Sequence, residues 1–358
     1  MPGSRTGRKK IIVNAFIIVL ITFAVTEVSF RLYHSFSPIF IFKDAGLRWR
    51  SEPYSYKFDF QRNSKGFLDI EYPLKKNPEL VRIVALGDSF ATGIVPYKNN
   101  FLTLLEDKLN RNRKSVEVIN MGIHGTSPSD YHVILVNESL DYDPDLVFVC
   151  FYMGNDFDKS RKRFYEHSYV YMFLKYAAAL AKIPDAFSFL SKKKKRRKMY
   201  EDDRPTYPEP VYMDIELNLI DKYKKNNSRF SAKVEYALGY LKKIRDICRE
   251  RGIQFKVVLI PAEMQVDRAH RQKLIRASGL KEEDFDFQIP NRLMKTRLSH
   301  AGIKYLDLLD MFVESGESTR LFRPRDTHWN IAGNELAAEA IKNYLLMVPQ
   351  IQTNRSPG

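Results

Sequence analysis

A hydroxyl, an imidazole and a carboxylate form an acyl-transfer site when the imidazole can take the hydroxyl proton and the carboxylate can orient the imidazole. This 358-residue chain offers such a set. Ser89 closes the run Gly87-Asp88-Ser89, and Asp326 and His328 stand two apart in RPRDTHWN. That spacing lets an extended or turn-like loop bring the carboxylate to the ring edge. Attack on an ester builds an oxyanion, which preorganised donors must meet. The backbone N–H groups of Ser89 and Gly122 and the side-chain amide of Asn155 are the candidate oxyanion hole. Gly122 qualifies because a side chain there would crowd the approaching oxygen. Taken singly these residues are ordinary, since Gly-Asp-Ser and Gly-Asn-Asp are common turn and cap chemistry. Asp88 reads as a residue that bonds loop backbone. The chemistry requires that all of them meet at one edge.

The surrounding pattern supplies that edge. Short runs rich in Val and Ile, VRIVALG (81–87), VEVINMG (116–122), 145–154, 255–261 and 303–309, read as strands buried on both faces. Helical patterns fall between and after them, near 99–111, 127–140, 232–251, 285–300 and 331–347, the last with Asn330 as its N-cap. Strand and helix in alternation imply an α/β fold with a parallel sheet covered on both faces. In such a sheet the loops after the C-terminal strand ends line the ligand crevice. Ser89, Gly122 and Asn155 all follow or end strands, and Asp326 and His328 precede the last helix. Between Asp156 and Ser231 lies far more chain than one crossover needs, an insert placed at 157–230. It holds an aromatic stretch (167–190), the run KKKKRRK (192–198), and RPTYPEP (204–210), which reads as an extended linker.

GDSFATG, the glycine of NMG, GND and DTH, in that order, resemble the four blocks of the SGNH or GDSL hydrolase family. The resemblance covers about 81–347, with the insert outside it. It implies Ser89 as nucleophile, Asp326 and His328 as its triad partners, and Gly122 and Asn155 as oxyanion donors beside the Ser89 amide. It also implies a flavodoxin-like three-layer α/β/α fold with a five-stranded parallel sheet, and neither a metal nor an organic cofactor. DTHWN, with Trp329 after the histidine, is similar to membrane-associated sugar O-acetyltransferases of the alginate type in the same superfamily. His124, two residues after Gly122, departs from the pattern and either lines the pocket or faces solvent.

Charge and cysteine usage exclude other classes. The formal charge is +15, but KKKKRRK contributes +7 and Arg5, Arg8, Lys9 and Lys10 contribute +4, leaving +4 for the rest. Two local clusters on a nearly neutral body argue against a nucleic-acid partner. Cys150 and Cys248 read as small core residues, and no Cys/His spacing suggests zinc. His34, His132, His167, His270 and His300 stand alone, without the spacing of metal ligands.

The basic start is followed by IIVNAFIIVLITFAVTEVSF, residues 11–30. As a helix this would reach about 30 Å, the thickness of a bilayer core. No small-x-small cleavage site follows, which favours an uncleaved transmembrane anchor over a signal peptide. The domains expected are a cytoplasmic basic start and anchor at 1–33, an extension at 34–80, and the hydrolase-like domain at 81–350. The basic flank keeps the N-terminus cytoplasmic and the catalytic part extracytoplasmic, in the periplasm or at the cell surface. Residues 167–198 offer a second membrane contact, with the alternative that the charge run is a solvated helix face. The expected function is a membrane-anchored serine esterase acting on acyl, chiefly acetyl, esters. The alternative is an O-acetyltransferase that passes the acyl group to a polysaccharide or glycan. A non-enzymatic lipid-docking module is the third possibility.

Overall fold

In the computed structural model, residues 5–36, 51, 53–158, 168–171, 173–174 and 200–347 are described. KKKKRRK and most of the aromatic stretch, with the membrane contact expected there, lie outside these residues. Five strands form one parallel sheet: β3 (Val81–Gly87), β4 (Val116–Gly122), β5 (Leu146–Tyr152), β6 (Gln254–Ile260) and β7 (Lys304–Asp307). Their order is β4-β3-β5-β6-β7. The first strand in sequence therefore sits between the second and third, which creates a switch point at β3 where two crossovers diverge. β3, β4 and β5 are buried along their whole length, as unbroken Val/Ile runs require of a sheet covered on both faces. A small antiparallel hairpin, β1 (Tyr56–Lys57) and β2 (Phe60–Gln61), precedes them.

The helices in chain order are α1 (Arg5–Phe36), α2 (Ser89–Thr92), α3 (Phe101–Leu109), α4 (Pro128–Asn137), α5 (Glu209–Leu219) and α6 (Ser228–Glu250). They continue as α7 (Glu263–Val266), α8 (Arg268–Ser278), α9 (Ile289–His300), α10 (Leu309–Gly316) and α11 (Ile331–Leu345). On one face, α3 and α11 pack together over Ile83, Ala85, Phe148, Cys150, Val258 and Ile260. α4 and α6 pair with each other and against β3 and β6. Asn330 caps α11, its side chain accepting the Gly333 N–H at 2.9 Å. Cys150 and Cys248 are both buried and unpaired.

Three boundaries differ from the sequence reading. β5 stops at Tyr152, because 153–157 turn out of the sheet. The stretch 303–309 splits into β7 and the start of α10. The expected linker 204–210 ends in α5, which opens at Glu209 behind Pro208, a residue whose fixed φ suits a helix entrance.

The chain divides into two compact units, one of 1–48 with 161–195 and the other of 49–160 with 196–358. In the first, α1 contains 24 residues, Lys10–Tyr33, long and apolar enough to cross a membrane, and none of its apolar window is buried. Glu27 on this helix accepts the backbone N–H groups of Tyr169 and Val170 at 3.1 and 3.0 Å and pairs with Arg31 at 2.6 Å. The sheet and everything that follows belong to the second unit.

Candidate active site

Sheet register sets the frame. Gly87 lies opposite Gly122 on one side and Cys150 on the other, so β3, β4 and β5 end nearly level. Ser89 opens α2 immediately past β3. Asp88 caps that turn by accepting the Phe90 N–H at 2.9 Å, and its carboxyl is fully buried. Burial pushes the Asp88 carboxyl up from the usual range, against the lowering effect of its hydrogen bonds and of His328.

The structure brings Ser89, His328 and Asp326 together. His328 Nε2 lies 2.7 Å from Ser89 Oγ, and His328 Nδ1 lies 2.7 Å from Asp326 Oδ1. Asp326 Oδ1 also accepts the His328 backbone N–H at 3.1 Å, which closes a tight turn around the carboxylate. Phe90 supports the imidazole face, ring centroids 5.0 Å apart. Burial would raise the Asp326 carboxyl, but the hydrogen bonds and charge of His328, with the Thr206 hydroxyl, hold it below the usual carboxylate range. An ionised acceptor on Nδ1 leaves Nε2 as the lone-pair nitrogen facing Ser89. That geometry can remove the hydroxyl proton as Oγ attacks an acyl carbon.

The expected oxyanion donors differ in their surroundings. The Gly122 N–H is occupied: it donates to Asn120 Oδ1 at 2.9 Å. Gly122 is a glycine for packing, because a Cβ there would come within 2.7 Å of Ala91 Cβ and would also strike the Thr92 amide. Asn120 clamps the same contact from its other end, donating to Ala91 O at 2.8 Å. Three residues on, Gly125 sits at the tip of a turn with φ +70°. The turn is anchored over the β3 end, where Gly87 O receives the Ile123 N–H at 3.0 Å and the Thr126 hydroxyl at 3.2 Å. Among the described residues the Gly125 N–H has no hydrogen-bond partner. Sequence reasoning passed over it. A second glycine in Gly-Ile-His-Gly-Thr, where a tight turn needs positive φ, was the available signal.

Asn155 is exposed at the turn after β5. Its neighbour Asp156 is buried, accepting Tyr131 OH and Tyr152 N–H, each at 2.9 Å, and so ties the turn to the core. Lys222, from the insert, donates to Gly154 O in the same turn. His124 is half-buried with Nε2 3.3 Å from Lys57 Nζ, and Lys57 also donates to Gly93 O. Burial, with Arg62 beside it, holds Lys57 down at about 7, and burial beside Lys57 holds His124 at about 3. Trp329 points into the core, stacked on Phe312 at 4.9 Å and edge-on to Phe90 and Phe101. Its role in DTHWN is packing behind the histidine. His270 is buried against Tyr212 and Glu216. Among the described residues no group of three or more His, Cys, Asp or Glu is placed to hold a metal ion.

Residues 220–356 match a family model described as an SGNH hydrolase-like domain, acetyltransferase AlgX. This stretch contains Asp326 and His328 and excludes Ser89 and Asn155. No curated protein sequence matches the chain. Among solved structures, a lipase/acylhydrolase from Enterococcus faecalis is 15% identical over 74% of this chain and 95% of its own, with a TM-score of 0.41. The acetyl xylan esterase AlAXEase is 13% identical over 74% of this chain and 100% of its own, TM-score 0.42. A putative lipolytic protein of the G-D-S-L family from Desulfitobacterium hafniense DCB-2 is 12% identical over 74% and 98%, TM-score 0.39. Residues 220–356 are thus similar to an SGNH hydrolase-like domain.

Proposed function

We propose that the protein is a membrane-anchored serine esterase that opens acyl esters, chiefly acetyl esters, through an acyl-enzyme on Ser89. One observation carries this reading: the unbroken relay from Ser89 Oγ through His328 to Asp326, with 2.7 Å at each step. Ser89 Oγ attacks the ester carbonyl carbon while its proton passes to His328 Nε2. The carbonyl oxygen takes the negative charge and is met by the Ser89 N–H, the Asn155 amide and the Gly125 N–H, the last replacing the occupied Gly122 amide. Collapse breaks the bond to the alkoxy oxygen, which leaves with the proton from His328. Water then repeats the sequence on the acyl-enzyme and releases the acid.

The anchor would occupy residues 1–33, with the N-terminus cytoplasmic and the domain at 81–350 across the membrane. Support comes from the unburied apolar length of Lys10–Tyr33 and the basic residues before it. A second reading, transfer of the acyl group to a carbohydrate hydroxyl, is favoured by the family match at 220–356, whose description names an acetyltransferase. The two differ only in which hydroxyl enters the second half-reaction. A labelled acetyl donor, supplied with and without polysaccharide, separates them: label on the glycan favours transfer, and free acetate in both favours hydrolysis. Neither product from a folded protein would end both readings.

A further inference from the structure

Asp326 has two carboxylate oxygens, and the imidazole uses only one. Oδ1 accepts both His328 N–H groups. Oδ2 points the other way and accepts the hydroxyl of Thr206, 120 residues earlier in the chain. The Arg323 guanidinium stands 3.6 Å from the same oxygen. We propose that Thr206 is a positioning residue for Asp326: its hydroxyl fills the oxygen that His328 leaves open and so fixes the plane the carboxylate presents to Nδ1. This rests on the reading of Asp326 and His328 as the proton relay of Ser89.

The contact belongs to a docked segment. Thr206 and Tyr207 donate their backbone N–H groups to Pro324 O and Arg325 O at 3.2 and 3.3 Å, laying residues 206–207 along the loop before His328. Arg325 is held at φ +48°, a left-handed conformation that a non-glycine residue seldom adopts, in the same stretch that receives these two bonds. Upstream, Asp202 accepts the Ile331 N–H at 3.2 Å at the start of α11, and Arg323 lies over the Tyr200 ring at 5.0 Å. Residues 200–207 therefore form a strap along the loop that carries Asp326, which is only 2% exposed.

A buried carboxylate with a free oxygen can rotate or protonate, and either change misaligns the imidazole. Donation from a neutral hydroxyl stabilises the ionised form without competing for Nδ1. Other groups facing Asp326 are Arg323 and His328 on its own loop, Tyr200 on the strap, Lys57 of the N-terminal hairpin and Glu263 of α7. None of these but Thr206 supplies a neutral donor within hydrogen-bonding distance of Oδ2.

The test uses the full chain in detergent, with p-nitrophenyl acetate, and compares T206V, T206S and S89A. Thr206 is exposed, so valine removes the hydroxyl without opening the core. For T206V, kcat should fall about tenfold with KM unchanged, on the scale of a hydrogen bond to a charged group. The acid limb of its kcat profile should move to higher pH, because an Asp326 carboxyl that loses a donor protonates more readily. T206S should recover to within about twofold of the parent, since it keeps the donor. An unchanged kcat and acid limb in T206V, or a T206S as slow as T206V, would overturn the inference. Retention of activity by S89A would instead overturn the underlying site.

Discussion

The two ends of the parallel sheet bury charge in opposite ways. At the N-terminal end, Arg82 is 0% exposed and its Nε meets Glu117 at 2.7 Å. Its Nη1 donates to Tyr142 O and Leu74 O at 2.8 and 3.0 Å, and its backbone N–H reaches Asp145. There a cation and an anion neutralise each other inside a net of carbonyls. At the C-terminal end, Asp88 and Asp156 are buried without an ion-pair partner within 4 Å among the described residues, met by backbone N–H donors and, at Asp156, by the Tyr131 hydroxyl. Burial pushes both carboxyls up, Asp156 well above its usual range, and Asp326 alone among the three is held down. A compensated pair has no proton to give and fixes geometry. At the other end a raised carboxyl, Asp88, and a lowered one, Asp326, lie near the same imidazole, a pattern that clusters at functional sites.

Substitutions can break this contrast. The largest expected effect is in Ser89→Ala, where kcat should drop by about 10⁴-fold or more while stability stays within roughly 0.5 kcal/mol. Hydrolysis kinetics and urea unfolding read the two quantities. Arg82→Met should do the reverse. It leaves Glu117 buried without its partner, at about 3–5 kcal/mol in urea unfolding, while kcat per folded molecule is unchanged. Loss of kcat in Arg82→Met at full stability would erase the division between the ends.

Asn155→Ala sharpens the chemistry end, with kcat expected to fall about 10²–10³-fold at constant KM, as for removal of one oxyanion donor. The smallest effects separate the two glycines. Gly122→Ala should destabilise by about 1–3 kcal/mol by forcing β4 and α2 apart. Gly125→Ala should lower kcat more than it lowers stability, because its positive φ presents the amide that the proposed oxyanion hole uses. Equal behaviour of the two variants would remove the basis for preferring Gly125.

Much of the sheet was legible because fully buried parallel strands write themselves as Val/Ile runs, and the candidate residues fell at their ends. VRIVALG and VEVINMG coincide with β3 and β4 residue for residue. Helices α5, α7, α8 and α10 were not read. In RAHRQKLIRAS (α8) the only large apolar residues are Leu274 and Ile275, and α7 is a single turn. The packing of Gly122 was not legible for a physical reason: a glycine at a strand end signals close approach, but not by what. Only tertiary structure shows that the approaching group is the backbone of α2. RPTYPEP read as a linker because its partners, the carbonyls of Pro324 and Arg325, lie more than a hundred residues away. Neighbouring Asp326 and His328 suggested a self-sufficient pair, and nothing local announced the hydroxyl on the far oxygen.

The central claim is that the Ser89 hydroxyl is made nucleophilic by His328. Reaction with a fluorophosphonate probe, followed by peptide mapping, tests it most directly. A single adduct on Ser89 is expected in the parent protein, and its loss in His328→Ala. Hydrolytic activity accompanied by an unlabelled Ser89, or by an adduct on another residue, would contradict it.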